Sequence, residues 1–93
     1  MNRKAKGNRA EYKSIRLLES CGYNCVRSAG SKGLFDVIGI SPTDIILCQT
    51  KSNRWPSETE MEQIKLFPCP PNTKKLIHKW VDRKSLPIVR EIN

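Results

Sequence analysis

Phe35-Asp36-Val37-Ile38-Gly39-Ile40, then Ser41-Pro42-Thr43-Asp44, then Ile45-Ile46-Leu47-Cys48-Gln49-Thr50-Lys51: two apolar runs joined by a short polar turn decide the fold of this 93-residue chain. Isoleucine, valine and phenylalanine favour the pleated conformation, and the Ser-Pro-Thr-Asp segment reverses the chain, so the stretch reads as an antiparallel hairpin. With Ile40 opposite Ile45, Asp36 is expected across from Gln49, with Cβ atoms about 4.5–5.5 Å apart on one face. Lys51 stays on that face because side chains alternate with period two. Ile38, Ile40, Ile45 and Leu47 share it, and Phe35, Val37, Ile46 and Cys48 make the opposite face apolar too. That is the pattern of central strands covered on both sides. A carboxylate in such a place is costly unless it is paired or ligates a metal. Two readings follow: an Asp36–Lys51 ion pair, or a site built from Asp36, Gln49 and Lys51.

Upstream, Asn8 followed by Glu11 has the spacing of a helix N-cap and its capping-box acid, and Ala10, Ile15, Leu17, Leu18 and Cys21 supply an apolar side. A helix is expected from Gly7-Asn8 to a stop at Cys21-Gly22-Tyr23. Glu11 shares a stripe with Ile15 and Leu18, so it can either close the cap or point a carboxylate at the hairpin. Tyr23 to Ser28 reads as a strand and Ala29-Gly30-Ser31-Lys32-Gly33 as a glycine-rich loop. Downstream, Ser57 and Glu60 repeat the capping-box spacing and predict a helix to about Phe67, with Met61, Ile64 and Phe67 turned inward. Leu76 to Val81 reads as a strand and Ile88 to Ile92 as a last short one. The expected architecture is α/β (α+β), a sheet flanked by helices, and residues 1–93 are expected to form a single domain.

The charge is +8, from 17 Lys and Arg against 9 Asp and Glu, with a pI near 9.6. Such an excess suits a polyanion, because neutralised phosphates release counterions. No run approaches the ~20 apolar residues that span a bilayer. The Met1 to Lys6 start has basic residues with no apolar region behind it, so it does not read as a signal peptide. Cys21, Cys25, Cys48 and Cys69 contain no CxxC pair. They are expected as buried small hydrophobes in a reducing cytoplasm, with a zinc site using His78 as the alternative.

Taken together, Lys6-Gly7-Asn8-Arg9-Ala10-Glu11, Arg27-Ser28-Ala29-Gly30-Ser31, Phe35-Asp36-Val37 and Gln49-Thr50-Lys51 resemble the archaeal-type Holliday junction resolvases and, more broadly, the PD-(D/E)XK nuclease superfamily. The likeness spans roughly residues 6 to 53 in order and spacing. It implies a restriction-endonuclease-like αβββαβ core around a central mixed sheet. Asp36 would be the central metal ligand, Glu11 would ligate directly or through water, and Lys51 would be the motif lysine. Phe35 replaces the proline of the motif's name, and Gln49 stands where the family has a carboxylate. An amide carbonyl can bind Mg²⁺ but brings no charge, so metal affinity is expected to be weaker.

The resemblance therefore implies a Mg²⁺-dependent DNA endonuclease, with Mn²⁺ as a substitute, acting on branched or junction duplex. It would take part in DNA recombination or repair, in a cellular or phage-encoded setting. Lys6, Arg9, Arg27, Ser31, Lys32 and Arg54 are the expected DNA contacts, since phosphate contacts position a duplex without reading it. Symmetric junction cleavage needs two sites and so implies a homodimer. The competing class is a non-catalytic basic nucleic-acid-binding module on the same fold. Trp55 is expected to pack beneath the following helix or to stack on a base. His78 is assigned to the structure, and Lys74, Lys75, Lys79, Arg83 and Lys84 to a solvated basic face.

Overall fold

The computed structural model describes the backbone of residues 3–28 and 33–93, and the side chains of 9–28 and 33–93. Seven elements follow in order: α1 (Arg3–Ser20), β1 (Asn24–Arg27), β2 (Val37–Ile40), β3 (Ile45–Ser52), α2 (Glu58–Leu66), β4 (Thr73–Trp80) and β5 (Ile88–Ile92). The five strands form one sheet in the order β1-β2-β3-β4-β5. All neighbours are antiparallel except β3 and β4, which run parallel across the α2 connection. The sheet is therefore mixed, with one helix on each face.

The hairpin register is the expected one: Ile40 opposes Ile45 and Val37 opposes Cys48. Regular pairing ends there. The Asp36 N–H donates to the Cys48 carbonyl (2.9 Å), so Asp36 and Val37 both address Cys48. Two residues against one is the arrangement of a β-bulge, which re-aims the side chain at the extra position. Asp36 thus stands beyond the end of β2 and not in a ladder position across from Gln49.

Alternation sorts the core into two layers. Val37, Ile46 and Cys48 pack with Leu18 of α1, joined by Ile15, Tyr23, Cys25 and Leu76. Phe35, Ile64 and Ile77 form the layer under α2, with Leu34, Leu47, Trp55, Met61 and Ile92. The even residues of β3 therefore face α1, and the odd residues face α2. Trp55 packs under α2, beneath the Lys79 ammonium at 5.1 Å from its ring. Phe67, the C-cap of α2, is 40% exposed but meets the Phe35 ring edge-on at 5.1 Å.

Three sequence expectations change. The first helix starts at Arg3, so Asn8 lies inside it and cannot be its N-cap. Arg3 to Lys6 are mostly good helix formers and carry the helix past the apparent cap. Fully formed caps appear elsewhere. At the end of α1, Gly22 has φ +96°, its N–H reaches the Glu19 carbonyl and the Tyr23 N–H reaches that of Leu18 (3.0 and 3.1 Å), a Schellman motif. At α2, Ser57 and Glu60 form the expected capping box. Next, β4 begins at Thr73, three residues before Leu76. Lys75 is consequently buried, with its Nζ donating to the Lys65 carbonyl at the end of α2 (3.0 Å), and does not belong to a solvated face. Finally, Cys48 lies in the core, where burial pushes its thiol up to about 12, whereas Cys21 and Cys69 are exposed.

Candidate active site

Asp36, Gln49 and Lys51 lie at the end of the sheet where β2 stops and β3 continues, but not as the one expected face: Asp36 bonds to Thr50, whereas Gln49 and Lys51 turn to Glu60 on the α2 side. Cys48 and Thr50 turn their backbone groups toward β2, but β2 supplies no residue opposite Thr50. The Asp36 carboxylate fills that place: Oδ2 accepts from the Thr50 N–H (2.8 Å) and from the Thr50 hydroxyl (3.2 Å). The bulge and this pair of bonds hold the carboxylate at the strand end. No other hydrogen-bond partner of the Asp36 carboxylate is found among the described residues, which leaves Oδ1 available.

Gln49 is buried, 5% exposed, on the α2 side of the sheet. Its Nε2 donates to the Leu34 carbonyl (3.0 Å) and lies 3.5 Å from Glu60 Oε2. Both neighbours are acceptors, so the amide orientation is set by chemistry: the nitrogen faces them. Its Oε1 is buried and has no partner among the described residues. A buried carbonyl of this kind costs free energy unless something donates to it or binds it. Lys51 projects from the same side of β3 and its Nζ reaches both oxygens of Glu60 (3.4 and 3.3 Å). Burial pushes the Glu60 carboxyl up, but the Ser57 N–H and the Lys51 ammonium outweigh that and leave it below its ordinary range. It is a carboxylate at neutral pH.

Glu11 comes from α1 and is half-buried. Its Oε1 accepts from Arg27 Nη1 (3.0 Å), and Arg27 also lies over the Tyr12 ring at 5.0 Å. Arg27 opposes Val37 and the Ser28 N–H reaches the Asp36 carbonyl, so the ion pair ties Glu11 to the end of β1 that runs alongside Asp36. Among the described residues, no three His, Cys, Asp or Glu side chains close on one point. The donor set is instead carboxylate, amide and carboxylate spread over the strand end. Oxygen ligands alone, one of them an unpartnered carbonyl, suit a hard divalent cation that keeps several waters.

Of the expected DNA contacts, Arg9 and Arg54 are exposed, and Arg27 is engaged with Glu11. Arg9 lines a small cavity of about 50 Å³ with Lys13, Ser52 and Trp80 near the same end of the sheet. The Lys6 side chain, Ser31 and Lys32 lie outside the described residues, as does most of the glycine-rich loop. Two partners escaped the sequence reading. Thr50 was passed over as the middle residue of Gln49-Thr50-Lys51, although its amide is the one β2 leaves unpaired. Glu60 has the spacing of a capping acid and nothing more in the sequence, but the short link from β3 to α2 brings it within reach of Gln49 and Lys51. His78 is structural: it is buried, with Nδ1 2.8 Å from the Ser14 hydroxyl, which also accepts from Trp80 Nε1 (2.8 Å).

The model of the archaeal Holliday junction resolvase (Hjc) family matches residues 2–66. That span covers α1 through α2 and with them Glu11, Arg27, Asp36, Gln49, Thr50, Lys51 and Glu60. Among solved structures, the chain is similar to Hjc from Archaeoglobus fulgidus, a Holliday junction resolvase from an archaeal hyperthermophile. The TM-score is 0.69 at 20% identity, over 94% of this chain and 71% of that one, which is a likeness of fold. No curated protein sequence matches.

Proposed function

Because the chain belongs to the archaeal Holliday junction resolvase family, we propose that it is an endonuclease that hydrolyses phosphodiester bonds in DNA at four-way junctions, with Asp36, Gln49, Lys51 and Glu11 at its centre. The observation that carries this reading is the strand end itself. A carboxylate at the residue before β2, and an unpartnered buried carbonyl and an ammonium two residues apart on β3, all lie at this end of the sheet.

Asp36 and the Gln49 carbonyl would hold a divalent cation, Mg²⁺ or Mn²⁺, with Glu11 reaching it directly or through water. Such an ion, when bound, polarises the phosphoryl oxygens and lowers the pKa of an attacking water. The protein's own groups do the rest. Thr50 holds Asp36 in place through two hydrogen bonds. The Lys51 ammonium lies where negative charge develops on the phosphate and stabilises it. Arg9 and Arg54, with Lys6, Ser31 and Lys32, would contact phosphates on either side, using the excess of +8. No described helix is long and apolar enough to cross a membrane. The reading places the protein in the cytoplasm, where its substrate would be. Residues 1–93 act as one domain in this reading, and paired cuts across a junction require a homodimer.

The test is a panel of labelled four-way junction, flap, nicked, single-stranded and linear duplex DNA, incubated with and without Mg²⁺ or Mn²⁺. Metal-dependent cutting concentrated on the junction supports the proposal. Tight, salt-sensitive binding without cutting of any substrate would replace it with the non-catalytic binding module, with the uncharged Gln49 as the reason.

A further inference from the structure

We infer that Glu60, from the first turn of α2, supplies the negative charge that Gln49 lacks, and that it belongs to the metal site at the end of β3. This inference rests on the reading above, because it needs a cation at that place.

Position 49 is occupied by a neutral amide, yet an ionised carboxylate stands beside it. Glu60 Oε2 is 3.5 Å from Gln49 Nε2 and 3.3 Å from Lys51 Nζ, so it lies between the two side chains that project from the α2 side of the strand. Its other oxygen, Oε1, turns back to the Ser57 N–H (3.3 Å) and closes the capping box. Oε1 is thus shared between the helix cap and Lys51 (3.4 Å), while Oε2 is the oxygen turned toward Gln49. The independent observation is Gln49 Oε1. In a side chain only 5% exposed, that oxygen has no hydrogen-bond partner among the described residues, although the nitrogen of the same amide has two acceptors. That oxygen accepts nothing from the described residues while its amide nitrogen lies against Glu60, so the side chain offers a carbonyl to a cation and touches the carboxylate that would balance the ion's charge.

The arrangement also follows from the chain path. Residues 53–56 link β3 to the α2 cap, and the N3 position of a helix starting there points back toward the strand it left. A carboxylate on the helix can thus serve a place that a carboxylate on the strand would otherwise serve. Mg²⁺ and Mn²⁺ retain bound waters, so Glu60 can act on the ion directly or through one of them. Lys51, held between both Glu60 oxygens, is oriented by the same group.

The experiment measures Mn²⁺ binding by calorimetry on the full chain without DNA, for the unaltered protein and for Glu60→Gln, Asp36→Asn, Lys51→Ala and the Gln49→Glu/Glu60→Gln double variant. Glutamine at N3 preserves the capping box, so Glu60→Gln keeps the helix start. The expected result is a dissociation constant raised roughly 10- to 100-fold by Glu60→Gln. Affinity should not weaken in Lys51→Ala, and should recover in the double variant, where the charge returns on the strand. If Glu60→Gln binds Mn²⁺ as tightly as the unaltered protein while Asp36→Asn does not, Glu60 only holds Lys51. The inference is then overturned while the nuclease reading stands. If Asp36→Asn is also without effect, or the unaltered protein binds no Mn²⁺, both are overturned.

Discussion

His78 is the only histidine in the chain, and its burial makes a pH-dependent stability that can be worked out in advance. The imidazole lies under α1 against Ser14 and beside Trp80 (6.4 Å between rings), with no carboxylate partner among the described residues, and burial lowers its pKa to about 4. In the unfolded chain it titrates near 6.5. The folded value is the lower one, so the unfolded state takes up the proton first as pH falls. The full stability is present above about pH 6.5 and is lost progressively down to about pH 4. A separation of about 2.5 pKa units corresponds to roughly 3 kcal/mol in total, of which about 2 kcal/mol is already lost at pH 5. Against a stability of ~5–15 kcal/mol, that is a large fraction. The carboxyls held below their ordinary range, Asp44 and Glu60, lose their contribution only as pH falls further, so the window between pH 7 and 5 isolates the histidine. Urea unfolding at intervals of pH should show the midpoint falling by roughly 1–2 M over that window, at an m-value of ~1–2 kcal/mol/M. His78→Gln can still meet the Ser14 hydroxyl and should be less stable at pH 7 with a flat profile. A single imidazole resonance allows a direct check by NMR. A folded-state titration near pH 6.5, or an unchanged slope in His78→Gln, would refute the reasoning.

Other consequences are open to measurement. Lys51→Ala should reduce junction cutting by roughly 10²–10³ under single turnover while leaving junction affinity within a few-fold, as gel-shift and cleavage on the same substrate would report. Ile64→Ala, which empties a fully buried position between α2 and the sheet, should cost about 2–5 kcal/mol in urea unfolding. Gly22→Ala forces a side chain into φ +96° and should cost about 1 kcal/mol by the same assay. Junction affinity should fall steeply between low and moderate salt, because phosphate contacts release counterions, and a flat salt profile would contradict the proposed interface.

The hairpin was readable from its residues because a short turn between two β-branched runs leaves one register that buries both faces, and Ile40 does oppose Ile45. The capping box at Ser57 and Glu60 was readable because it is a local pattern with a local cause. The same pattern misled at Asn8 and Glu11, where the preceding basic residues extend the helix. What sequence could not give were contacts that depend on where strands end. The bulge at Asp36 turns its carboxylate to Thr50, and nothing in the Phe35-Asp36-Val37 run signals the extra residue. Likewise, the buried Lys75 reads as a surface charge until α2 offers it a carbonyl. The membership in the resolvase family was legible in the ordered motifs, which span most of the matched residues.

The central claim, that the strand end around Asp36 is a nuclease site, is tested most directly by single-turnover cleavage of a four-way junction before and after Mg²⁺ is added, comparing the unaltered protein with Asp36→Asn. The account predicts cutting that begins on addition of the ion and is abolished by the substitution, with junction binding retained in both proteins. Cutting that needs no ion, or that persists in Asp36→Asn, would contradict it.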